Sequence, residues 1–154
     1  MARTADPVPS LDLDRYVPGL LVWVSNKLSA GASQLYRSLH GLGVTDWRVL
    51  AYIELYPWST GAQVCGLIGL DKAAVSRSFG FLEKLSLIQA RPSGLRKIEY
   101  AVTPEGSRVY TEVLKMALAR EEALLTGFSA EERASLVGFM HRMLANLPNV
   151  GALR

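Results

Sequence analysis

Apolar residues recur at steps of three or four along much of the chain, which is the pattern of amphipathic helices. The first stripe predicts one long helix that begins near Pro18 and ends at Gly41 and Gly43; its members are Leu21, Val24, Leu28, Ala32, Leu35 and Leu39. A second stripe predicts a helix of about three turns between Thr45 and Pro57. Its predicted inner face holds Trp47, Leu50, Ala51 and Leu55.

Two short helices follow, and each has its own start signal. Thr60 and Gln63 have the spacing of a capping box, and Gly69 ends the helix that they open. Asp71 can cap the next helix after a turn of only three residues. The predicted buried positions are Val64, Leu67 and Ile68 in the first helix and Val75, Phe79 and Leu82 in the second. Such a pair predicts a helix-turn-helix.

The pattern then changes to two strand-like runs, residues 88–91 and 98–102, with Pro92, Ser93 and Gly94 between them. This predicts a β-hairpin with Arg96 and Lys97 near its tip.

Two further helices follow the hairpin. Thr103 and Pro104 form a cap followed by a proline, and open a helix that runs to about Thr126. Ser129 and Glu132 form a second capping box, which opens a last helix that carries Leu136, Phe139, Met140, Met143 and Leu144. We expect Pro148 to stop this helix.

Length and composition fit one globular domain. The chain has 154 residues, of which 49% are hydrophobic and 20% charged. The longest uncharged apolar stretch, residues 16–26, is too short to cross a membrane. Residues 1–10 have two prolines and little periodicity, so we expect an N-terminal arm that is mobile or held by a partner, rather than a secretory signal. We therefore expect a cytoplasmic protein without a membrane partner.

The charge is unevenly distributed. Residues 72–97 carry six cations against Glu83 alone, a balance of +5, which leaves −2 for the rest of a chain whose net charge is +3. A basic segment on a slightly acidic body is typical of a face that meets a polyanion. A single cysteine, Cys65, and two histidines offer no disulfide and no zinc ligand set, so we expect no metal and no cofactor. We expect Cys65 to be a small buried residue.

Four segments, in order, carry a family resemblance: T-D-W-R-V-L-A-Y-I, G-L-D-K-A-A-V-S-R-S, L-I-Q-A-R-P and V-T-P-E-G. Together they resemble the MarR family of bacterial transcription regulators (multiple antibiotic resistance regulators) over about residues 18–147. The resemblance implies a mainly α (α+β) fold, a winged helix-turn-helix with flanking N- and C-terminal dimerisation helices. It implies a single domain over residues 11–154, with the winged helix at about 45–103 and the dimerisation helices at about 11–40 and 104–147.

Two positions depart from the family pattern. The family's wing commonly has an Asp-x-Arg pair before its second strand, and this chain keeps Arg96 but has Gly94 at the aspartate position. We therefore expect Arg96 to lack a carboxylate partner and the short loop to limit the reach of the wing. The recognition helix begins with Ala73 and Ala74 where the family often has Ser or Thr, so methyl contacts with thymine gain importance.

The resemblance also implies a homodimer in which each winged helix reads one half-site of a pseudo-palindromic operator in double-stranded DNA. Arg77 can form a bidentate contact with guanine, and Lys72 lies near a helix N-terminus where phosphate is favoured. The candidate DNA-binding residues are Thr60, Lys72, Ala73, Ser76, Arg77, Arg91, Arg96 and Lys97.

The resemblance places an effector pocket between the dimerisation helices and the winged helix. For most aromatic residues of the first two helices, a core role is the expected one. The candidate effector-binding residues are Trp23, Tyr36, His40, Trp47 and Arg48, which suit an aromatic acid or an acyl-CoA thioester.

Two classes of function remain open. The first is a ligand-responsive, homodimeric transcriptional regulator, expected to be a repressor that a small molecule releases from DNA. The alternative is a winged-helix module that binds protein, without sequence-specific DNA binding. The basic face formed by Lys72, Ser76 and Arg77 favours the first. An enzyme is not expected, because the sequence has no nucleophile elbow, phosphate loop, metal motif or paired carboxylates.

Overall fold

The computed structural model describes residues 10–152. Within them the element order is α1 (Val17–His40), α2 (Val44–Leu55), β1 (Ser59–Thr60), α3 (Gly61–Ile68), α4 (Lys72–Lys84), β2 (Ile88–Pro92), β3 (Ile98–Val102), α5 (Pro104–Leu124) and α6 (Ala130–Gly151). The predicted winged helix-turn-helix with flanking helices is confirmed. Of the predicted N-terminal arm, residues 1–9 lie outside the described residues. No described helix combines the length and hydropathy that a membrane span requires.

The helix-turn-helix forms where its local signals predict. The Thr60 amide donates to Gln63 Oε1 over 2.8 Å, and the Ala74 amide donates to Asp71 Oδ1 over 2.8 Å, so both helix starts are capped. Gly69 ends α3 in the left-handed conformation, with φ of 64°. These caps fix the turn that presents α4.

The hairpin forms a three-stranded antiparallel sheet in the order β1-β3-β2. Ile88 pairs with Val102 and Pro92 pairs with Ile98, and the Ser93 amide closes the turn on the Lys97 carbonyl over 2.7 Å. The sequence did not predict β1, because a strand of two residues has no period to detect. This strand joins the hairpin directly to the start of α3.

Helix α2 differs from its prediction at its start and on its inner face. Its N-cap is Gly43 rather than Thr45, because the Asp46 carboxylate accepts the Gly43 amide over 2.9 Å. The other oxygen of Asp46 accepts the hydroxyl of Ser78 on α4. Leu55, predicted to face inward, is 64% exposed, whereas Val49 and Ile53 are fully buried with Leu50. The hydrogen bond between Ser78 of α4 and Asp46 of α2 thus determines which side of α2 is buried.

Three further predictions are wrong. Leu67 is 67% exposed, so Val64 alone is the buried position of α3. Cys65 is half-buried rather than buried. Pro148 does not stop α6, which continues to Gly151 because a proline removes only its own amide bond and the following residues still have carbonyl partners.

The start of α5 lies against the end of α4 and β2. The Thr103 amide donates to the Leu87 carbonyl over 3.0 Å, and the Thr103 hydroxyl accepts the Gly106 amide over 3.0 Å. A Cβ at Gly106 would lie 1.9 Å from the Leu87 carbonyl oxygen, so only glycine permits this approach. Compact packing divides the chain into two units, with the boundary between Val113 and Leu114 in α5.

Candidate nucleic-acid interface

Helix α4 has one buried side and one exposed side. Val75, Ser78, Phe79 and Leu82 are buried in the winged helix. The exposed residues on the other side include Lys72, Ala73, Ser76, Arg77 and Gly80. Their small size, apart from the two cations, leaves the helix backbone accessible to a bulky partner.

The charged groups of the cations on this face have no partner within the part of the chain that the structure describes. Among the described residues, neither the Lys72 side chain nor the Arg77 side chain makes a hydrogen bond or an ion pair, and both are exposed. By contrast, Arg108 pairs with Glu105 at 2.6 Å and with Glu112 at 2.5 Å, and these carboxylates raise its pKa. The α4 cations therefore keep their hydrogen-bond donors available.

A recess of about 820 Å³ lies between α3, α4 and β3 and opens to solvent. Thr60, Lys72, Ser76, Arg96 and Lys97 line it, so the structure brings five of the eight candidate DNA-binding residues around one depression. The other three, Ala73, Arg77 and Arg91, lie outside this lining. The half-buried Cys65 also lines it.

An aromatic pair also belongs to the wall of the recess. The rings of Phe79 and Tyr100 stack with centroids 3.9 Å apart, joining α4 to the hairpin. Burial raises the pKa of the Tyr100 hydroxyl, so it stays protonated near neutral pH. The stack fixes the distance between the recognition helix and the wing.

The hydroxyl of Thr60 already has a local role. It donates to Gln63 Oε1 over 2.9 Å and accepts the Gln63 amide over 3.4 Å as the cap of α3. Thr60 therefore marks the position of a helix N-terminus rather than offering an unused hydroxyl.

The hairpin cations fall into two groups. Arg96 and Lys97 are exposed at the tip, and their side chains make no hydrogen bond or ion pair with any described residue, as expected for Arg96 with Gly94 at the usual aspartate position. Arg91 instead pairs with Glu99 at 2.8 Å and lies over the ring of Trp58. Glu99 and Trp58 were missed in the sequence, although Glu99 lies directly across the hairpin from Arg91.

The candidate effector residues are only partly brought together. The rings of Tyr36 and Trp47 meet edge to face at 6.1 Å, and Trp47 also stacks on Tyr110 of α5 at 5.2 Å. Tyr110 was missed because nothing in its local pattern distinguishes it from an ordinary helical residue. Trp23 lies thirteen residues before Tyr36 on α1, about 20 Å along the helix axis.

The two polar candidates for effector binding, His40 and Arg48, lie on α1 and α2, the helices that carry Tyr36 and Trp47. His40 Nε2 lies 3.5 Å from the Glu112 carboxylate, and the Arg48 guanidinium donates to the Ser29 hydroxyl over 3.2 Å. Among the described residues, no cluster of histidine, cysteine and carboxylate side chains could hold a metal ion.

No protein-family model matches the sequence, and no curated protein matches it either. Solved structures do match. A MarR/EmrR family transcriptional regulator from Acinetobacter sp. ADP1 is 26% identical, with a TM-score of 0.83 over 90% of this chain and 99% of that chain. FabT from Streptococcus pneumoniae, solved in complex with DNA, is 18% identical, with a TM-score of 0.70 over 90% and 99%. BpsR from Bordetella bronchiseptica, whose DNA binding 6-hydroxynicotinic acid regulates, is 20% identical, with a TM-score of 0.76 over 89% and 99%.

Proposed function

We propose that this chain represses transcription as a DNA-binding homodimer that a small molecule releases. Its fold is that of the MarR family of transcription regulators, which are not enzymes. Each winged helix would read one half-site of a pseudo-palindromic operator in double-stranded DNA. Release would follow if the effector binds the DNA-incompetent spacing of the two recognition helices more tightly than the competent one.

One observation carries the proposal: the exposed side of α4 holds two unpaired cations among small residues. Ala73, Ser76 and Gly80 let the helix approach the floor of the major groove, which admits an α-helix. Arg77 projects from the middle of this face and can donate two hydrogen bonds to a guanine edge. Lys72, in the first turn, can neutralise a phosphate near the helix N-terminus.

The unpaired cations of the hairpin tip support a second contact. Arg96 and Lys97 border the same recess as Lys72, so a duplex placed on α4 would have its backbone within reach of both. Contacts of this kind position a protein on DNA and carry little sequence information.

The exposed apolar surface of α6 supports the homodimer. Phe139 is 55% exposed, Leu144 60% and Leu147 57%, and the helix has no buried residue. The first half of α1 has similar exposure, including Leu21, Val22, Trp23 and Val24. Exposed apolar side chains in such number on a helix are typical of an interface, and a second copy of the chain would cover them.

The proposed effector is an aromatic carboxylate that binds near the ring cluster of Tyr36, Trp47 and Tyr110. Aromatic walls hold a planar ligand, and Arg48 and His40 lie on the adjoining helices as candidate partners for its carboxylate. The aromatic acid that regulates BpsR supports this chemical class.

A variant with Trp23 and Trp58 replaced by Phe isolates the fluorescence of Trp47. We expect 6-hydroxynicotinic acid or benzoate to quench it over the same concentrations that weaken DNA binding. Saturating operator should weaken ligand binding by the same factor, because coupling between two sites is reciprocal. Ligand affinity that operator leaves unchanged would contradict an allosteric effector.

The decisive experiment compares Arg77→Ala with Arg96→Ala on an operator selected from random duplexes. Arg77→Ala should abolish specific binding and leave weak, salt-sensitive binding, because each bidentate contact discriminates by about 1 to 3 kcal/mol and a dimer has two. Arg96→Ala should weaken binding to all sequences and flatten the slope of log K against log salt by roughly 2 per dimer.

Lys115→Ala is the matched control, since it removes an exposed cation on α5 with no partner among the described residues. It should bind operator like the parent. If Arg77→Ala and Arg96→Ala also bind like the parent, or if no duplex is selected, the DNA-reading proposal is wrong and the protein-interaction module replaces it.

A further inference from the structure

Arg91 is held within the protein on two sides. Its Nε and Nη2 donate to the same oxygen of Glu99 over 3.0 and 2.8 Å, and its guanidinium carbon lies 3.9 Å from the centre of the Trp58 ring. Two of the guanidinium donors and one of its faces are therefore occupied. The pair with Glu99 is also neutral overall, so Arg91 adds little net positive charge to the hairpin.

Glu99 links both strands of the hairpin to the turn. Its second oxygen accepts the hydroxyl of Ser93 over 2.7 Å, while the first accepts Arg91 from the opposite strand. The Glu99 side chain is 21% exposed and that of Arg91 is 51% exposed, so the pair lies at the surface of the hairpin. Hydrogen bonds from Ser93 and Arg91 lower the pKa of Glu99.

Trp58 connects this network to the helix-turn-helix. It stands in the left-handed backbone region, with φ of 62°, and leads directly into β1, which pairs Ser59 with Tyr100 and Thr60 with Glu99. Thr60 is in turn the cap of α3. The side chains of Ser93, Glu99, Arg91 and Trp58, which we call the wing clamp, therefore tie the hairpin to the segment that begins α3.

From this geometry we propose that Arg91 is a positioning residue and not a DNA contact, and that the wing clamp fixes the hairpin on the helix-turn-helix so that Arg96 and Lys97 meet the DNA backbone. The proposal rests on the DNA-binding function proposed above. The hairpin cations thus have two roles. Arg91 sets the orientation of the hairpin, whereas Arg96 and Lys97 contact the DNA backbone.

The two roles of Arg91 predict opposite results for Glu99→Gln. If Arg91 contacts phosphate, removing the neighbouring negative charge should strengthen DNA binding. If Arg91 is a positioning residue, Glu99→Gln should weaken operator binding roughly 3- to 10-fold, because an ion pair and a stacked cation lose their geometry.

Arg91→Lys also distinguishes a phosphate contact from a positioning role, and it does so without changing the charge. A lysine replaces an arginine well at a phosphate, but it cannot reproduce the fork to Glu99 or the planar contact with Trp58. The positioning role therefore predicts a similar 3- to 10-fold loss for Arg91→Lys, and the double variant should be no weaker than either single variant because both break one unit. Arg108→Lys is the matched control, because it exchanges another surface arginine that pairs with carboxylates, Glu105 and Glu112 on α5, and it should bind like the parent. Trp58→Phe, which retains a ring, should bind better than Trp58→Ala.

Hydrogen exchange of the free protein gives a readout that does not depend on DNA. Glu99→Gln and Arg91→Lys should speed exchange of the β2 and β3 amides while leaving the α4 amides unchanged. Unchanged hairpin exchange would overturn the wing clamp, and tighter operator binding by Glu99→Gln, or parent-like binding by Arg91→Lys, would overturn the positioning role. If the parent binds no operator but the variants do loosen the hairpin, the DNA-binding function fails and the clamp itself stands.

Discussion

The two ends of α5 belong to units that are stabilised in different ways. The unit before Leu114 has a core within the chain, in which Leu50, Ile53, Val64, Leu82 and Val113 are all fully buried. In the other unit, none of the described residues from Leu114 to Ala152 is buried. Well-capped helices are therefore not enough to stabilise a folded unit, because hydrophobic burial supplies most of the stabilisation.

Local helix signals do not explain this difference, because they are equally good in both units. Ser129 and Glu132 form the same reciprocal cap at α6 as Thr60 and Gln63 form at α3. Arg133 also pairs with Glu122 at 2.8 Å across the turn before α6. What α6 lacks is cover for its apolar side chains, and the proposed partner copy would provide it.

The same substitution in each unit should separate the two kinds of stabilisation. Leu82→Ala removes a fully buried side chain and should lower the free energy of unfolding by about 2 to 5 kcal/mol, whatever the protein concentration. Leu144→Ala removes a side chain that is 60% exposed in one chain, so its effect should appear as weaker dimerisation.

Urea unfolding and light scattering over a hundredfold dilution series measure both effects. The Leu144→Ala protein should dissociate at higher concentrations than the parent, whereas Leu82→Ala should not shift dissociation by itself. A parent protein that scatters as a folded monomer at micromolar concentration would contradict the proposed dimer and break the comparison.

Sequence signals that act over a few residues predicted the structure well. Asp71, Ser129 and Gly69 stand where their caps were expected, because each one satisfies backbone groups of its own turn. Predictions of burial were weaker. Leu55 and Leu67 fit an apolar stripe, but whether a stripe is covered depends on contacts distant in sequence, such as that between Asp46 and Ser78.

The candidate site shows the same division. Exposure of Lys72, Ser76 and Arg77 follows from the helical period once the inner side of α4 is known. The partner of Arg91 depends on hairpin register, and its contact with Trp58 depends on a strand of two residues. Periodicity cannot supply either fact. From the sequence, Arg91 and Arg96 therefore have the same predicted role, that of candidate DNA contacts.

Removing one cap from each unit should have a smaller and more equal effect. In the parent, the Ala74 amide donates to Asp71 Oδ1 over 2.8 Å and the Glu132 amide donates to Ser129 Oγ over 3.2 Å. Asp71→Ala and Ser129→Ala each remove one of these acceptors. Each should cost about 1 kcal/mol in urea unfolding. Asp71→Asn and Ser129→Thr should retain most of the parent stability. A loss at Ser129 far below that at Asp71 would mean that α6 contributes little to the cooperative unit.

The smallest expected effect is a pH dependence confined to the hairpin of the first unit. Hydrogen bonds from Ser93 and Arg91 hold the pKa of Glu99 below its ordinary value of 4.5. A carboxyl group whose pKa is lower in the folded state contributes stability above its unfolded pKa, and this contribution is lost as the pH falls through the folded pKa. In urea unfolding, the parent should therefore be more stable than Glu99→Gln at pH 6, and the difference should shrink steadily below pH 4.5. Because the network lies at the surface, high salt should reduce the difference at pH 6 as well. A difference that stays constant from pH 6 to pH 3 would mean that the Glu99 charge does not stabilise the hairpin, and that Ser93 and Arg91 hold it through neutral contacts alone.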